Sequence, residues 1–257
     1  MIVTTAGRTN MEMIQRAENI AKKLEVPYVH RRKRSIEAVQ KEVYEDCLVV
    51  GKQRLELYPL GEIEPCFFHP NSAAFRIKRL QRGECDPFIE ATQLTNGKKL
   101  LDCTFGLGSD SITASHIVGE QGLITGCEGN RFLAYLMKVG LQTWSDGDPS
   151  IIKAMRRIGL TYSLAIDVLK TLPDNSYDCV YFDPMFEENI LESDGIKGLR
   201  NLALYEELTK ETIDHAYRVA KERVVLKDHF RSLRFEQFGF QVHIRKNAKF
   251  HFGILEK

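Results

Sequence analysis

Three apolar runs in this chain each end in an acid, and the three acids differ in the residues that come directly after them. Residues 98–110, KKLLDCTFGLGSD, stop at Asp102 and turn through Gly106 and Gly108 toward Ser109; residues 122–128, GLITGCE, stop at Glu128; residues 177–186, YDCVYFDPMF, end in Asp183, Pro184, Met185 and Phe186. A strand that breaks into a Gly-x-Gly loop ahead of a helix turns bare backbone N–H groups toward a ligand. An acid closing the next strand, as Glu128 does, is placed to accept from a ribose diol. Asp183 adds a different chemistry. A carboxylate followed by proline, which has no N–H, offers acceptors without a competing donor, and an aromatic after it gives a planar group a surface to stack on. That set suits an enzyme alkylating the exocyclic amine of a base, whose delocalised lone pair must be drawn toward tetrahedral geometry before it attacks.

The elements that must hold these residues alternate between strand and helix, the mark of an α/β protein with a mostly parallel sheet. Residues 1–6 and 26–30 read as strands around a helix over 10–24, Ser35 caps a helix over 35–42, and 47–50 with 54–58 form a hairpin around Gly51. The polar stretch Gly61–Pro70 closes a small N-terminal α/β domain, 1–70; helices within 71–94 lead into a larger domain, 71–257. There, strands are expected at 98–104, 122–128, 160–166, 177–183, 223–227, 239–246 and 250–256, the last two as a hairpin around Asn247. Helices are expected near 109–118, 130–142, 150–158 and 200–221. The three acids then lie at carboxyl ends of strands, where open α/β sheets bind ligands. Seven strands with a terminal hairpin describe a class I S-adenosylmethionine (SAM) methyltransferase, Rossmann-like, better than a nicotinamide oxidoreductase. Ser111 also stands where a dinucleotide fingerprint has its third glycine.

Composition bounds this reading. With 257 residues, 43% of them hydrophobic, the chain can bury a sizeable core. A formal charge of +1 announces no global basic field, so any nucleic-acid site must be a local patch. Six cysteines without a CxxC pair read as reduced, buried thiols, and neither a leader nor an 18-residue apolar run is present; a cytoplasmic protein without membrane insertion is expected. The seven histidines show no metal-ligand spacing.

Four stretches resemble the ribosomal RNA small-subunit methyltransferase J family (RsmJ), in particular a divergent Gram-positive branch of it. LDCTFGLGSD resembles that family's DATAGLGRD loop, YFDPMF its LDPMF signature and KERVVLK its KRVVVK strand; the fourth is the N-terminal region, with His69 and Arg76 ahead of the first large-domain strand. Phe105, Ser109 and Ser111 depart from the family loop, and EENILESDGIKGL after the motif is more acidic than the family's basic segment. The resemblance implies methylation of a guanine N2 amine in 16S rRNA, with SAM as cofactor and ribosomal RNA or the small subunit as partner.

On that reading the catalytic residues are Asp183, Pro184, Met185 and Phe186: Asp183 and the backbone carbonyl of Pro184 or Met185 accept the amine N–H bonds, and Phe186 stacks on the base. The cofactor set is Asp102, Thr104, Phe105, Gly106, Gly108, Asp110, Glu128, Gly129, Asn130 and Asp167. The Thr104–Gly108 backbone passes along the methionine half, Asp102 or Asp110 meets its amino group, Glu128 takes the ribose and Asp167 the adenine amine. Plainer roles stand beside these: Asp102 as a polar strand end, Ser109 or Asp110 as a helix cap, Asp167 as the cap of a helix at Val168–Leu172. For RNA the candidates are His69, Arg76, Lys227 and Arg231. Against them, His69 reads as a turn residue before Pro70 rather than a catalyst, Arg76 as part of a solvated helix face, and Lys227, which could contact substrate phosphate or pair with Asp183, as the partner of Asp228 or of the carboxyl end of a neighbouring helix. A methyltransferase acting on protein or a small molecule, and a non-catalytic RNA-binding or ribosome assembly factor, are the alternatives.

Overall fold

The structure is a computed structural model and describes residues 1–184, 207–246 and 248–257. A three-stranded sheet comes first: β1 (Ile2–Thr5), β2 (Cys47–Val50) and β3 (Leu55–Tyr58), with β1 parallel and β3 antiparallel to β2. Helices α1 (Met11–Lys23) and α2 (Ile36–Val43) make the crossover from β1 to β2. Each starts at a side-chain cap that satisfies an orphan N–H: Asn10 accepts from Met13 at 2.8 Å and Ser35 from Ala38 at 3.0 Å. Helices α3 (Asn71–Gln81) and α4 (Pro87–Thr92) lead into the large sheet.

The large unit is built from β4 (Lys99–Asp102), α5 (Ser109–Val118), β5 (Leu123–Glu128), α6 (Arg131–Thr143), α7 (Pro149–Arg156), β6 (Gly159–Tyr162), α8 (Ala165–Thr171) and β7 (Tyr177–Phe182). Beyond residue 206 come α9 (Lys210–Val219), β8 (Ala220–His229), α10 (Arg234–Gln237), β9 (Gln241–His243) and β10 (Phe250–Glu256). The seven strands lie in the order β6-β5-β4-β7-β8-β10-β9; all neighbours are parallel except β10, which runs against β8 and β9. This is the mostly parallel seven-stranded sheet expected from the sequence. The chain runs outward from β4 in one direction through β5 and β6, and in the other through β7 and β8. The reversal between β4 and β7 is the switch point at which such sheets open a crevice.

One apolar core joins the two sheets: Val3, Ile20, Leu48 and Leu57 of the small sheet and its helix belong to the same buried cluster as Leu100, Ile112, Leu136 and Phe252. Phe68 packs so tightly on α6 that a Cβ on Gly140 would lie 2.1 Å from its ring. A second cluster, including Leu101, Val180, Ile213 and Leu226, fills the other face of the large sheet.

Several expectations are corrected. Residues 26–30 make a single parallel bridge, Val3 to Tyr28, rather than a strand; Pro27 lacks an N–H to extend the ladder. The run 160–166 stops pairing at Tyr162 and becomes α8, because Ala165 and Leu169 bury at helical spacing. The strand at 223–227 extends over Ala220–His229, and the one at 239–246 shrinks to Gln241–His243. Gly108 occupies the cap position of α5, so neither Ser109 nor Asp110 is its cap, and α8 starts three residues before Val168, with Leu164 as its cap residue and Asp167 in its first turn. Met185, Phe186, Asn247 and residues 200–206 of the expected helix lie outside the described residues. All six cysteines are free, five of them buried and Cys85 exposed.

Candidate active site

Two hydrogen-bond networks meet at the carboxyl ends of β4, β5 and β7. The first ties the glycine loop to β5. Glu128, almost wholly buried, accepts from the Gly106 N–H at 3.1 Å and the Asn130 N–H at 2.8 Å, and burial pushes its carboxyl up. Asn130 in turn caps α6 through the N–H groups of Phe132 and Leu133. Phe105 donates its N–H to the Cys127 carbonyl at 3.0 Å, and its ring fills the space over Gly126 and under Gly108. Gly108 sits at φ +74° and Gly106 at φ +51°, backbone that side chains rarely adopt. A Cβ on Gly106 would meet only the Thr104 carbonyl oxygen, at 3.9 Å, so this side of the loop is open.

The second network holds the charges. Asp102, 1% exposed, accepts from the Ser111 hydroxyl at 2.7 Å and the Thr104 N–H at 3.1 Å; burial pushes its carboxyl up to about 7. Thr104 also accepts the Asp183 N–H on Oγ1 at 2.5 Å, which pins the end of β7 to the end of β4. Asp183 receives Lys227 Nζ at 2.6 Å. Burial pushes the Asp183 carboxyl up to about 6, against the pull of Lys227. Asp110 accepts from the Tyr181 hydroxyl at 2.9 Å, lies 3.6 Å from Lys227 Nζ and pairs with Arg76. Burial opposes its ionisation, but Lys227 and Arg76 hold it down at about 2. Arg76 completes the set by gripping Asp86 with two 2.8 Å bonds.

Sequence reasoning thus named residues that the fold brings together: Asp102, Thr104, Asp110, Asp183 and Lys227 in one cluster, with Gly106, Glu128 and Asn130 beside it. Pro184 directly follows Asp183. Arg76 lies inside the cluster, its side chain 18% exposed and committed to two carboxylates, rather than on a solvated helix face. Lys227 pairs with Asp183, as its functional reading anticipated, while Asp228, the partner of its plainer reading, accepts from Arg234. Asp167 is exposed on α8, Arg231 is exposed and stacked over Phe230, and Gly129 is half-buried beside Glu128. His69 packs edge-on against Phe67, with burial lowering its basicity. Three members were missed. Asp86 followed by a helix-starting proline, Ser111 in the first turn of α5, and Tyr181 near the end of β7, two residues before Asp183, carried the signal.

The residues fit SAM. The backbone opposite Gly106 is open, the Ser109 hydroxyl at the start of α5 is buried without a hydrogen-bond partner among the described residues, and each Glu128 oxygen retains acceptor capacity after one N–H. Around the crevice, three carboxylates (Asp86, Asp110, Asp183) face two cations (Arg76, Lys227), an excess of negative charge that complements a sulfonium.

The fold is that of a class I SAM-dependent methyltransferase. The chain belongs to the family described as "Putative SAM-dependent methyltransferase", whose model matches residues 31–251. It is 46% identical to YpiP of Bacillus subtilis, a protein described as uncharacterized, over 99% of both chains. It is 28% identical over 190 residues to the ribosomal RNA small subunit methyltransferase J of Pseudomonas fluorescens, covering 70% of this chain and 71% of that protein. Among solved structures, the SAM-dependent methyltransferase NGO1261 from Neisseria gonorrhoeae superposes with a TM-score of 0.64 at 18% identity, over 100% of this chain and 96% of that one. No described helix is long and apolar enough to cross a membrane.

Proposed function

We propose that this chain methylates an exocyclic amine of a base in small-subunit ribosomal RNA, with guanine N2 as the acceptor. The observation that carries the proposal is Asp183: a carboxylate at the end of β7, beside the switch point, followed by a residue without an N–H and oriented by Lys227. SAM, when bound, supplies an electrophilic methyl group. Asp183 and the Pro184 carbonyl accept the amine N–H bonds, so the nitrogen lone pair is freed from the ring and directed. Lys227 and the Thr104 hydroxyl fix the carboxylate and its backbone, and Asp183 takes the proton that the nitrogen loses. Phe186, from the sequence motif, supplies the stacking surface for an extruded base. The choice of RNA rests on the likeness to the Pseudomonas methyltransferase J and the Asp-Pro-Met-Phe sequence.

The test is transfer of labelled methyl from SAM to small subunits isolated from a strain lacking this gene, beside naked RNA and bulk protein, with Asp183→Ala as control. Label in one guanine of the subunit RNA, lost in the variant while SAM binding persists, is the expected result. Label only in protein or small molecules would overturn the RNA assignment and keep the methyltransferase.

A further inference from the structure

The rim next to Asp183 has a composition that the catalytic account does not use. From Gln237 to Leu255 the chain contains no acid, yet Arg245, Lys246 and Lys249 crowd the turn between β9 and β10. Aromatic rings are interleaved with these cations. Arg245 Cζ lies 4.9 Å from the Phe250 ring centroid, and Lys227 Nζ, the partner of Asp183, lies 5.0 Å from the same centroid. Phe250 therefore connects the turn to the catalytic crevice through a single lysine. Past the end of β8, Phe230 is 44% exposed, carries Arg231 at 5.0 Å over its ring, and is joined to the turn by its N–H to the Lys249 carbonyl at 3.2 Å. Where the chain enters the turn, the Arg245 N–H donates to His251 Nδ1 at 3.3 Å. Among the described residues, Arg231, Arg245, Lys246 and Lys249 have no carboxylate within ion-pair distance.

Cations with no acidic partner, alternating with aromatic faces beside a base-acceptor carboxylate, match the chemistry of a single strand: phosphates for the former, bases for the latter. We propose that the turn carrying Arg245, Lys246 and Lys249, together with Phe230 and Arg231, docks the RNA strand flanking the methylated base, with the cations on phosphates and Phe230 under a neighbouring base. This rests on the RNA reading above and specifies where that RNA lies. A protein partner would instead need acidic side chains matched to the cations.

The test compares wild-type protein with the triple variant Arg245→Gln, Lys246→Gln, Lys249→Gln and, separately, Phe230→Ala. Binding of small-subunit RNA is measured from about 50 to about 200 mM salt, alongside SAM binding and thermal melting. In the triple variant, RNA affinity should fall about tenfold or more, and the salt slope should lose roughly one unit per phosphate contact removed, with SAM binding and melting unchanged. Phe230→Ala should weaken RNA binding with the salt slope intact. If wild type binds and methylates RNA and neither variant differs from it, the docking site is overturned while the RNA reading stands. If wild type binds no RNA under any of these conditions, both fall.

Discussion

Lys227 Nζ sits 2.6 Å from an Asp183 oxygen and 3.6 Å from an Asp110 oxygen, so a single cation on β8 joins the proposed acceptor of amine protons to a carboxylate on α5. Asp110 is ionised throughout the physiological range, whereas Asp183 is held near the edge of it, with a carboxyl at about 6. Lys227 thus sets both the direction of the Asp183 carboxylate and the pH at which it becomes available.

Replacing Lys227 by Met should move the acid limb of the pH–rate profile upward. The cation lowers the Asp183 value against burial, so its loss lets burial raise it further, by about one pH unit or more. For a shift of about one unit, activity at pH 7 should drop about twofold, and more for a larger shift, while activity at pH 9 recovers. A profile with an unmoved acid limb would take Asp183 out of the titrating step.

Arg76→Met should destabilise the protein by about 3 kcal/mol, because it leaves Asp86 and Asp110 with their partner removed inside the structure. Urea denaturation measures this. Arg76→Lys should rescue only part, since a lysine cannot form the two-bond fork to Asp86.

The stability of the whole fold should fall as pH rises from about 4 to about 7 on account of Asp102. Its folded value, about 7, lies above the unfolded value of about 3.9, so the native state binds the extra proton in that window and loses this advantage as pH climbs through it. Asp102→Asn should flatten that part of the melting-temperature profile. Melting curves from pH 4 to pH 8 read the difference, and parallel profiles for the two proteins would contradict the assignment.

Gly126→Ala should cost about 1–3 kcal/mol, since its Cβ would lie 2.3 Å from the Phe105 ring in a packed interior. Adding Phe105→Leu should return part of the loss in a double-mutant cycle followed by urea denaturation.

The acids at strand ends were legible in the sequence because an apolar run of fixed period stops where a carboxylate begins, and the order of the runs then dictates a switch-point crevice. The hairpin around Gly51 and the caps at Asn10 and Ser35 were legible for the same local reason. Partnership across the fold could not be read in this way. Arg76 looked like one of several cations on a helix surface, and nothing within α3 reveals that Asp86, ten residues on, and Asp110, 34 residues on, will enclose it. Periodicity also misjudged residues 163–166, where a strand-like alternation gives way to a helix because Ala165 and Leu169 find apolar partners at helical spacing.

The charge cluster is assembled from α3, α5, β7 and β8, in that order along the chain. Synthesis from the N-terminus therefore delivers the components of the site in a fixed succession. Arg76 and its two carboxylates can pair early, the glycine loop and Glu128 come next, and Asp183 emerges before the lysine that orients it. A nascent chain halted before residue 227 would hold the glycine loop and Asp183 yet lack the cation that pairs with the acid, so the charge cluster closes only once β8 has been made.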